Sequence, residues 1–425
     1  MNTTPLFSAR IALAALVTLS TTALAENFFS EEPVWSSGTT LSGGDGIARF
    51  IDYDRDGDMD FLTSAPDPYR WVIYQNVDGK ISKTPIWESN ETSDLDHIDV
   101  LDFNGDGWTD LAATHETHCT IYINKRGSFD VTPDWETGLI VNANQIHFAD
   151  MDGDKDLDMV MAAGPPLNGV AIFENKGGGI DPKSESRSGF PSRVPTLKLG
   201  HDEYSETAIF VDYDQDGDGY LDILAHYAGG KDIVYRNTKG IFDEGTVLYD
   251  DPKNPWTQRH VMFDLDGDGI NEVFSAKGPW GGPGQSLQLV KKDGKLTPIW
   301  KSPANTMYHA FEFHDIDGDG DADALASDYT NGGQVAVFLN NDGKLSKNPV
   351  EIVQATGPVH EAVLADIDLD GDLDLAVGGR DQSHIFENLT INTGYHSAAN
   401  RFRNMINTEF VFSPSVISGN EFPSA

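Results

Sequence analysis

The sequence predicts an all-β fold, a seven-bladed β-propeller of four-stranded blades. Three observations predict it. An acidic pattern, D-x-[DN]-x-D-G-x-x-[DE], recurs seven times at intervals near 50 residues, each copy behind a short apolar run. A second apolar run ending in Asn follows six of the copies: WVIYQN (71–76), TIYIN (120–124), VAIFEN (170–175), DIVYRN (232–237), VAVFLN (335–340) and HIFEN (384–388). The fifth copy has LQLVKK in that place. Pro-x-Trp segments close several units: TPIWES (84–89), TPDWET (132–137) and TPIWKS (297–302). Each unit thus holds about four short strands with turn chemistry between them, and repeated units of that size close into a ring.

Residues 1–25 read as a secretory signal. Arg10 precedes the apolar run IALAALVTL (11–19), and Ala23-Leu24-Ala25 supplies the small-residue cleavage pattern before Glu26. The apolar run is too short to span a bilayer. The expected location is therefore secreted or periplasmic. The propeller is expected over 26–390. EPVWSS (32–37) has the character of a last strand but stands ahead of the first repeat. It is expected to complete the seventh blade and so remove two sheet edges. The one long interval between copies contains KGGGIDPKSESRSGFPSRVP (176–195), a surface loop by composition. Residues 391–425 form a C-terminal extension, an outer strand or a cap.

Composition excludes several functions. The 425-residue chain has 29 Lys+Arg against 68 Asp+Glu, a formal net charge of -39. Nucleic-acid binding requires clustered cations, and so does a polybasic membrane anchor. The single cysteine, Cys119, excludes an intramolecular disulfide framework and a cysteine-based zinc centre.

The acidic turns have the chemistry of a hard-cation site. Side chains at positions 1, 3, 5 and 9 converge, glycine at 6 permits the sharp bend, and carboxylate oxygens select Ca²⁺. The ligand positions are Asp52, Asp54, Asp56 and Asp60; Asp102, Asn104, Asp106 and Asp110; Asp150, Asp152, Asp154 and Asp158. They continue with Asp214, Asp216, Asp218 and Asp222; Asp264, Asp266, Asp268 and Glu272; Asp315, Asp317, Asp319 and Asp323; Asp366, Asp368, Asp370 and Asp374. Lys155 replaces the glycine of the third turn, which is expected to weaken that site. Glu272 gives the fifth turn a longer arm. Carboxylates about 4 Å apart repel by about 1 kcal/mol in water and about 4 at an effective dielectric near 20, so empty clusters would oppose folding. These motifs, over about residues 30–390, resemble the FG-GAP/VCBS repeat family. The resemblance implies a seven-bladed calcium propeller and leaves the activity open.

Function is expected on the face away from these turns. Histidines His97, His115, His118, His201, His226, His260, His309, His360 and His384 fall there, with Tyr69, Arg70, Tyr204, Tyr227, Trp256, Arg259, Lys277, Trp280, Tyr308, Tyr329 and Arg380. Two columns are expected near the channel mouth. Six residues before each first Asp stand Gly46, Asp96, Asn144, Ala208, Gln258, His309 and His360. Five after each last acid stand Ala65, His115, Ala163, Tyr227, Lys277, Asp328 and Gly379. In residue types this rim is similar to the sites of propeller-type polysaccharide lyases, such as bacterial ulvan lyases. That likeness implies β-elimination on a uronate-containing polysaccharide, with His115 or His118 as base and Tyr204 or Tyr227 as acid. Arg259, with Lys277 or His260, would neutralise the carboxylate. A non-catalytic carbohydrate-binding or adhesion propeller is the alternative. Paired-carboxylate hydrolysis is disfavoured because the aspartates are committed to cations. His115-x-x-His118 is a candidate zinc pair without an evident third ligand.

Overall fold

The computed structural model describes residues 27–38, 46–66, 69–90, 95–138, 142–177, 189–200, 203–278, 284–330 and 332–390. The expected signal and C-terminal extension lie outside them, as do His201, Trp280 and most of the 176–195 insertion. Among the described residues the structure is all β, in seven four-stranded antiparallel sheets. No helix among them is long and apolar enough to cross a membrane.

The innermost strands are Ala48–Ile51, Leu95–Leu101, Asn142–Ala149, Ser205–Val211, Thr257–Phe263, Tyr308–His314 and Val359–Ala365. Each runs directly into an acidic turn, and the last acid of that turn opens the second strand, as Asp60 opens Asp60–Pro66. Blade 4 also carries a small hairpin, Asn237–Thr238 with Ile241–Phe242. The ring closes as expected. Trp35–Ser36 pairs with His384–Phe386, aligning Trp35 with Ile385, and so supplies the outer strand of blade 7.

Two kinds of side chain join neighbouring blades. The first is the tryptophan of the outer strand. Trp87 Nε1 of blade 1 donates to Asp130 O of blade 2, Trp135 to Pro191 O, Trp300 to Ser346 O, and Trp35 to Ser82 O of blade 1. Trp35 therefore does for the seventh blade what the internal tryptophans do elsewhere. It is 6% exposed and packs edge-on against Phe61 and Tyr74. Trp35→Ala is expected to cost about 3–5 kcal/mol, the range for a large core aromatic. Denaturant unfolding checks this, and a change within about 0.5 kcal/mol, as at a surface site, would mean that the strand does not hold the closure.

The second is the asparagine that ends each third strand. Its backbone N–H donates to the last acid of its own turn: Asn76 to Asp60, Asn124 to Asp110, Asn237 to Asp222 and Asn340 to Asp323, all at 2.7–2.8 Å. Its Nδ2 donates to the turn of the preceding blade: Asn124 to Tyr53 O, Asn237 to Met151 O, Asn340 to Leu265 O and Asn76 to Ile367 O. Blade 5 lacks this asparagine, and Lys291 Nζ takes its place by donating to Tyr213 O of blade 4. Each staple leaves a buried carbonyl unsatisfied when removed, so Asn124→Ala is expected to destabilise by about 1–3 kcal/mol in equilibrium unfolding. Apolar side chains fill the space between blades, as where Trp71, Ile73 and Leu62 meet Ile98, Ala113 and Tyr122.

Candidate functional site

The inner strands have two ends, and each end presents a ring of polar groups. At one end lie the acidic turns. Each turn has left-handed residues at positions 4 and 6. Position 4 is Arg55, Gly105, Gly153, Gln215, Gly267, Gly318 and Leu369; position 6 is Gly57, Gly107, Lys155, Gly217, Gly269, Gly320 and Gly371. Such a backbone turns amide hydrogens inward. Asp106 and Gly107 donate to Asp102, and Asp268 and Gly269 to Asp264.

This geometry corrects the reading of the fourth turn. Asp212, not Asp214, follows the inner strand, and the left-handed Gln215 and Gly217 stand at positions 4 and 6 counted from it. Asp212, Asp214 and Asp216 converge, and the turn is two residues longer before Asp222. Lys155 adopts the left-handed conformation at φ 75° in place of glycine, at about 1–2 kcal/mol. The third turn still brings Asp150, Asp152 and Asp158 together. In these turns, in Asp52, Asp54 and Asp56, and in Asp264, Asp266 and Glu272, one oxygen from each residue lies within 4.8 Å of the others.

The donor set fits a hard cation. Asp52 Oδ1 and Asp54 Oδ1 are buried without a hydrogen-bond donor. Burial, only partly offset by backbone N–H donors, pushes the carboxyls of Asp60, Asp110 and Asp374 up to about 8. It pushes Asp158, Asp323 and Glu272 up to about 7. A bound cation reverses such a shift, because its charge stabilises the carboxylate form.

At the other end, six inner strands carry a bulge near their start. The bulged residues are Asp96, Asn144, Glu206, Gln258, His309 and His360. Bulges re-aim side chains and gather at barrel rims. This ring is the first expected column with one correction, Glu206 for Ala208, which follows from the longer fourth turn. In blade 1 the position is Gly46, where a Cβ would sit 2.3 Å from Gly378 O. The second column lies one strand farther from the axis: His115, Tyr227, Lys277 and Asp328 stand where the second strands end.

One sector of the rim spans blades 2 to 5. Tyr204 Oη donates to Asn144 Oδ1 at 3.1 Å, and its half-buried ring meets Trp256 edge-on at 5.7 Å. Asn144 Nδ2 donates to Ser205 O. Arg259 reaches across the channel to His97 Nδ1, 3.1 Å, and to Asn144 O, 3.4 Å. Burial, with the Asp96 charge adding and Arg259 opposing, pushes the Glu206 carboxyl up to about 8, so it is an uncharged acid at neutral pH. A second sector spans blades 6 and 7. The rings of His309 and His360 lie 4.4 Å apart, Tyr329 stands edge-on to His360 at 4.6 Å, and Arg380 Nη1 donates to Tyr329 Oη at 3.3 Å. Burial, with Arg259 adding, pushes His309 down to about 3, and burial with His309 adding holds His360 well below its ordinary value.

Below the rim the channel is crossed by charge. Arg49 makes a two-pronged pair with Glu361 at 2.5 and 2.8 Å, and Glu361 also faces His97 Nδ1 at 3.5 Å. Burial alone would raise the Glu361 carboxyl, but Arg49, His97 and Arg259 together outweigh it and hold it below its ordinary value. Arg49 and Glu361 escaped the sequence reading. The available signal was a charged residue inside an apolar inner-strand run, ARFI in one blade and VHEAVLA in another.

The seven residues proposed for elimination chemistry do not share one site. Tyr204 and Arg259 reach the rim. His115 and His118 stack face to face at 4.5 Å near Trp71, with His115 Nε2 on Thr120 Oγ1 and His118 Nδ1 on Thr117 Oγ1. Parallel stacked rings do not aim their nitrogens at a common ion, so the His115/His118 zinc pair loses its geometry. Tyr227 is a core residue between blades 3 and 4, its hydroxyl 2.7 Å from that of Tyr235. It is too deep to serve as an acid. His260 and Lys277 point away from the channel into a buried cluster with His226 and Asp232, because side chains alternate along a strand and Arg259 takes the channel side.

Known proteins agree with this fold. The most similar solved structures include two crystal structures of BBS1N in complex with ARL6DN. The lead-soaked one has a TM-score of 0.55 at 11% identity, covering 86% of this chain and 98% of that one. The mercury-soaked one has a TM-score of 0.55 at 12% identity, covering 85% and 98%. The extracellular domain of the putative one component system BT4673 from B. thetaiotaomicron gives a TM-score of 0.48 at 14% identity, covering 85% of this chain and 40% of that one. No curated protein matches by sequence. A profile of the FG-GAP-like repeat matches residues 52–113, 102–161, 214–275, 264–326 and 315–377, together more than half of the chain. With seven blades each turning on an acidic loop, the chain belongs to the FG-GAP-like repeat family.

Proposed function

We propose that the protein is exported, holds Ca²⁺ in its acidic turns and binds carbohydrate at the opposite, bulge-built rim. Export rests on the signal at residues 1–25. Calcium rests on the converging carboxylates and their donor-free buried oxygens. The observation that carries carbohydrate binding is the rim sector where the half-buried rings of Tyr204 and Trp256 pack edge to face beside Asn144, Asp96 and Arg259. Aromatic faces stack on sugar rings, while amide, carboxyl and guanidinium groups take hydroxyls. Glu206, uncharged beside Arg259, spares an acidic sugar one repulsion in a chain that is otherwise strongly acidic.

Calorimetric titration of the mature chain with neutral and uronate oligosaccharides tests this. Wild type is expected to bind one class. Trp256→Ala is expected to weaken binding at least about tenfold, a loss of about 1.4 kcal/mol. No binding to any oligosaccharide by the folded protein would refute the proposal.

A second reading, β-elimination on a uronate polymer, is favoured by the sector in blades 6 and 7. Tyr329, half-buried and hydrogen-bonded by Arg380, would take the C5 proton as its phenolate and return it to the leaving oxygen, the Arg380 guanidinium would neutralise the carboxylate, and His309 and His360 would pack behind the phenol ring. Turnover would appear as ultraviolet absorbance from the new double bond. Tyr329→Phe is expected to lower it by about 100-fold or more while leaving binding intact. Wild type that binds uronans without producing absorbance would remove this reading and leave the binding one.

A further inference from the structure

Blades 4 and 5 meet around a buried trio: His226 on Asp222–Tyr227, Asp232 on Lys231–Tyr235 and His260 on Thr257–Phe263. One ligating atom from each lies within 4.8 Å of the others, and the residues are 0%, 0% and 3% exposed. His226 Nε2 lies 2.8 Å from Pro255 O, and its Nδ1 lies 2.6 Å from Asp232 Oδ1. A carbonyl and a carboxylate only accept, yet a neutral imidazole has one N–H. With that hydrogen on Nε2 toward the Pro255 carbonyl, the Nδ1 lone pair faces the carboxylate and the 2.6 Å contact needs a cation between them, either a metal ion or a second proton. His260 approaches the same carboxylate from blade 5. Its Nδ1 is held 3.1 Å from Ser275 Oγ, while Nε2 sits 3.2 Å from Asp232 Oδ1. Asp232 Oδ2 is buried with no donor.

We propose that this trio is a transition-metal site of the zinc class, bound through His226 Nδ1, the Asp232 carboxylate and His260 Nε2. Two imidazoles and one carboxylate are ordinary ligands for such a dication, and oxygen-selective calcium would not choose them. Arms of about 2 Å at tetrahedral angles set donors about 3.3 Å apart. The His260 contact meets that spacing, and turning the carboxylate widens the His226 contact. Pro255 O and Ser275 Oγ fix the ring orientations, as second partners of metal-bound histidines do. Lys277, donating to Thr257 Oγ1 at 2.8 Å, helps to keep Asp232 ionised. The Asp232 charge makes a proton on His226 the rival occupant, and the Lys277 charge opposes that proton. The site would clamp blade 5 to blade 4, the junction where Lys291 stands in place of the asparagine staple.

The test uses the untagged mature chain with calcium in excess, so that the acidic turns do not compete. Elemental analysis is expected to find one tightly held zinc per chain. Cobalt substitution is expected to give the intense visible absorption of a tetrahedral site, lost in Asp232→Asn and His260→Gln. Should those variants fail to fold, the cobalt spectrum of wild type decides alone. No tightly held transition metal, with nitrogen-15 spectra showing protons on both His226 ring nitrogens at neutral pH, would overturn the proposal and make the trio an ion pair.

Discussion

Stripping divalent cations from the folded protein is expected to lower its melting temperature by more than about 10 °C, restored by calcium. A site filled at 100 times its dissociation constant contributes about 2.7 kcal/mol, and several such sites act on one cooperative ring. The direction with pH follows from the turn carboxyls. Asp60, Asp110 and Asp374 are raised to about 8 in the metal-free fold, so between about pH 4 and pH 8 the folded state holds protons that the unfolded chain has released. Metal-free stability therefore falls as pH rises through that window. Calcium replaces those protons, so its stabilising effect is expected to be larger at pH 8 than at pH 5. Scanning calorimetry at the two pH values, with and without calcium, reads both quantities. Equal curves with and without calcium would leave the turns without a structural cation.

The second large effect concerns the charge across the channel. Glu361→Ala, which strands Arg49 in a buried site, is expected to cost about 3–5 kcal/mol. Replacing both partners with Met and Leu is expected to recover most of that loss, since much of the penalty is the unpaired charge. Glu361 is held below its ordinary range, so its contribution is complete above about pH 4.5 and is lost as pH falls through the lower folded value. Denaturant midpoints of the single and double variants check this. A single variant as stable as wild type would mean that the pair does not brace the ring.

The ring, its closure by EPVWSS and the two ends of the inner strands were legible because the sequence repeats them. Apolar run, acidic turn and terminal asparagine recur at fixed offsets, and the backbone obeys the same offsets. Details that break the period were not legible. The fourth turn reads from Asp214 because D-x-D-x-D-G fits there as well as at Asp212, and only the left-handed Gln215 and Gly217 settle the register. That slip of two hid Glu206. Bulges were also invisible, because one extra residue leaves no mark on a short apolar run. The elimination residues scatter for a related reason. Histidine and tyrosine at strand ends look alike in sequence whether they face the channel, as Arg259 does, or the next blade, as His260 and Tyr227 do.

The central claim is that the acidic turns are cation sites set around a closed ring. Native mass spectrometry of the mature chain in calcium tests it most directly. Seven calcium ions per folded monomer, one for each blade, are the expected result. A folded monomer that carries none would contradict it.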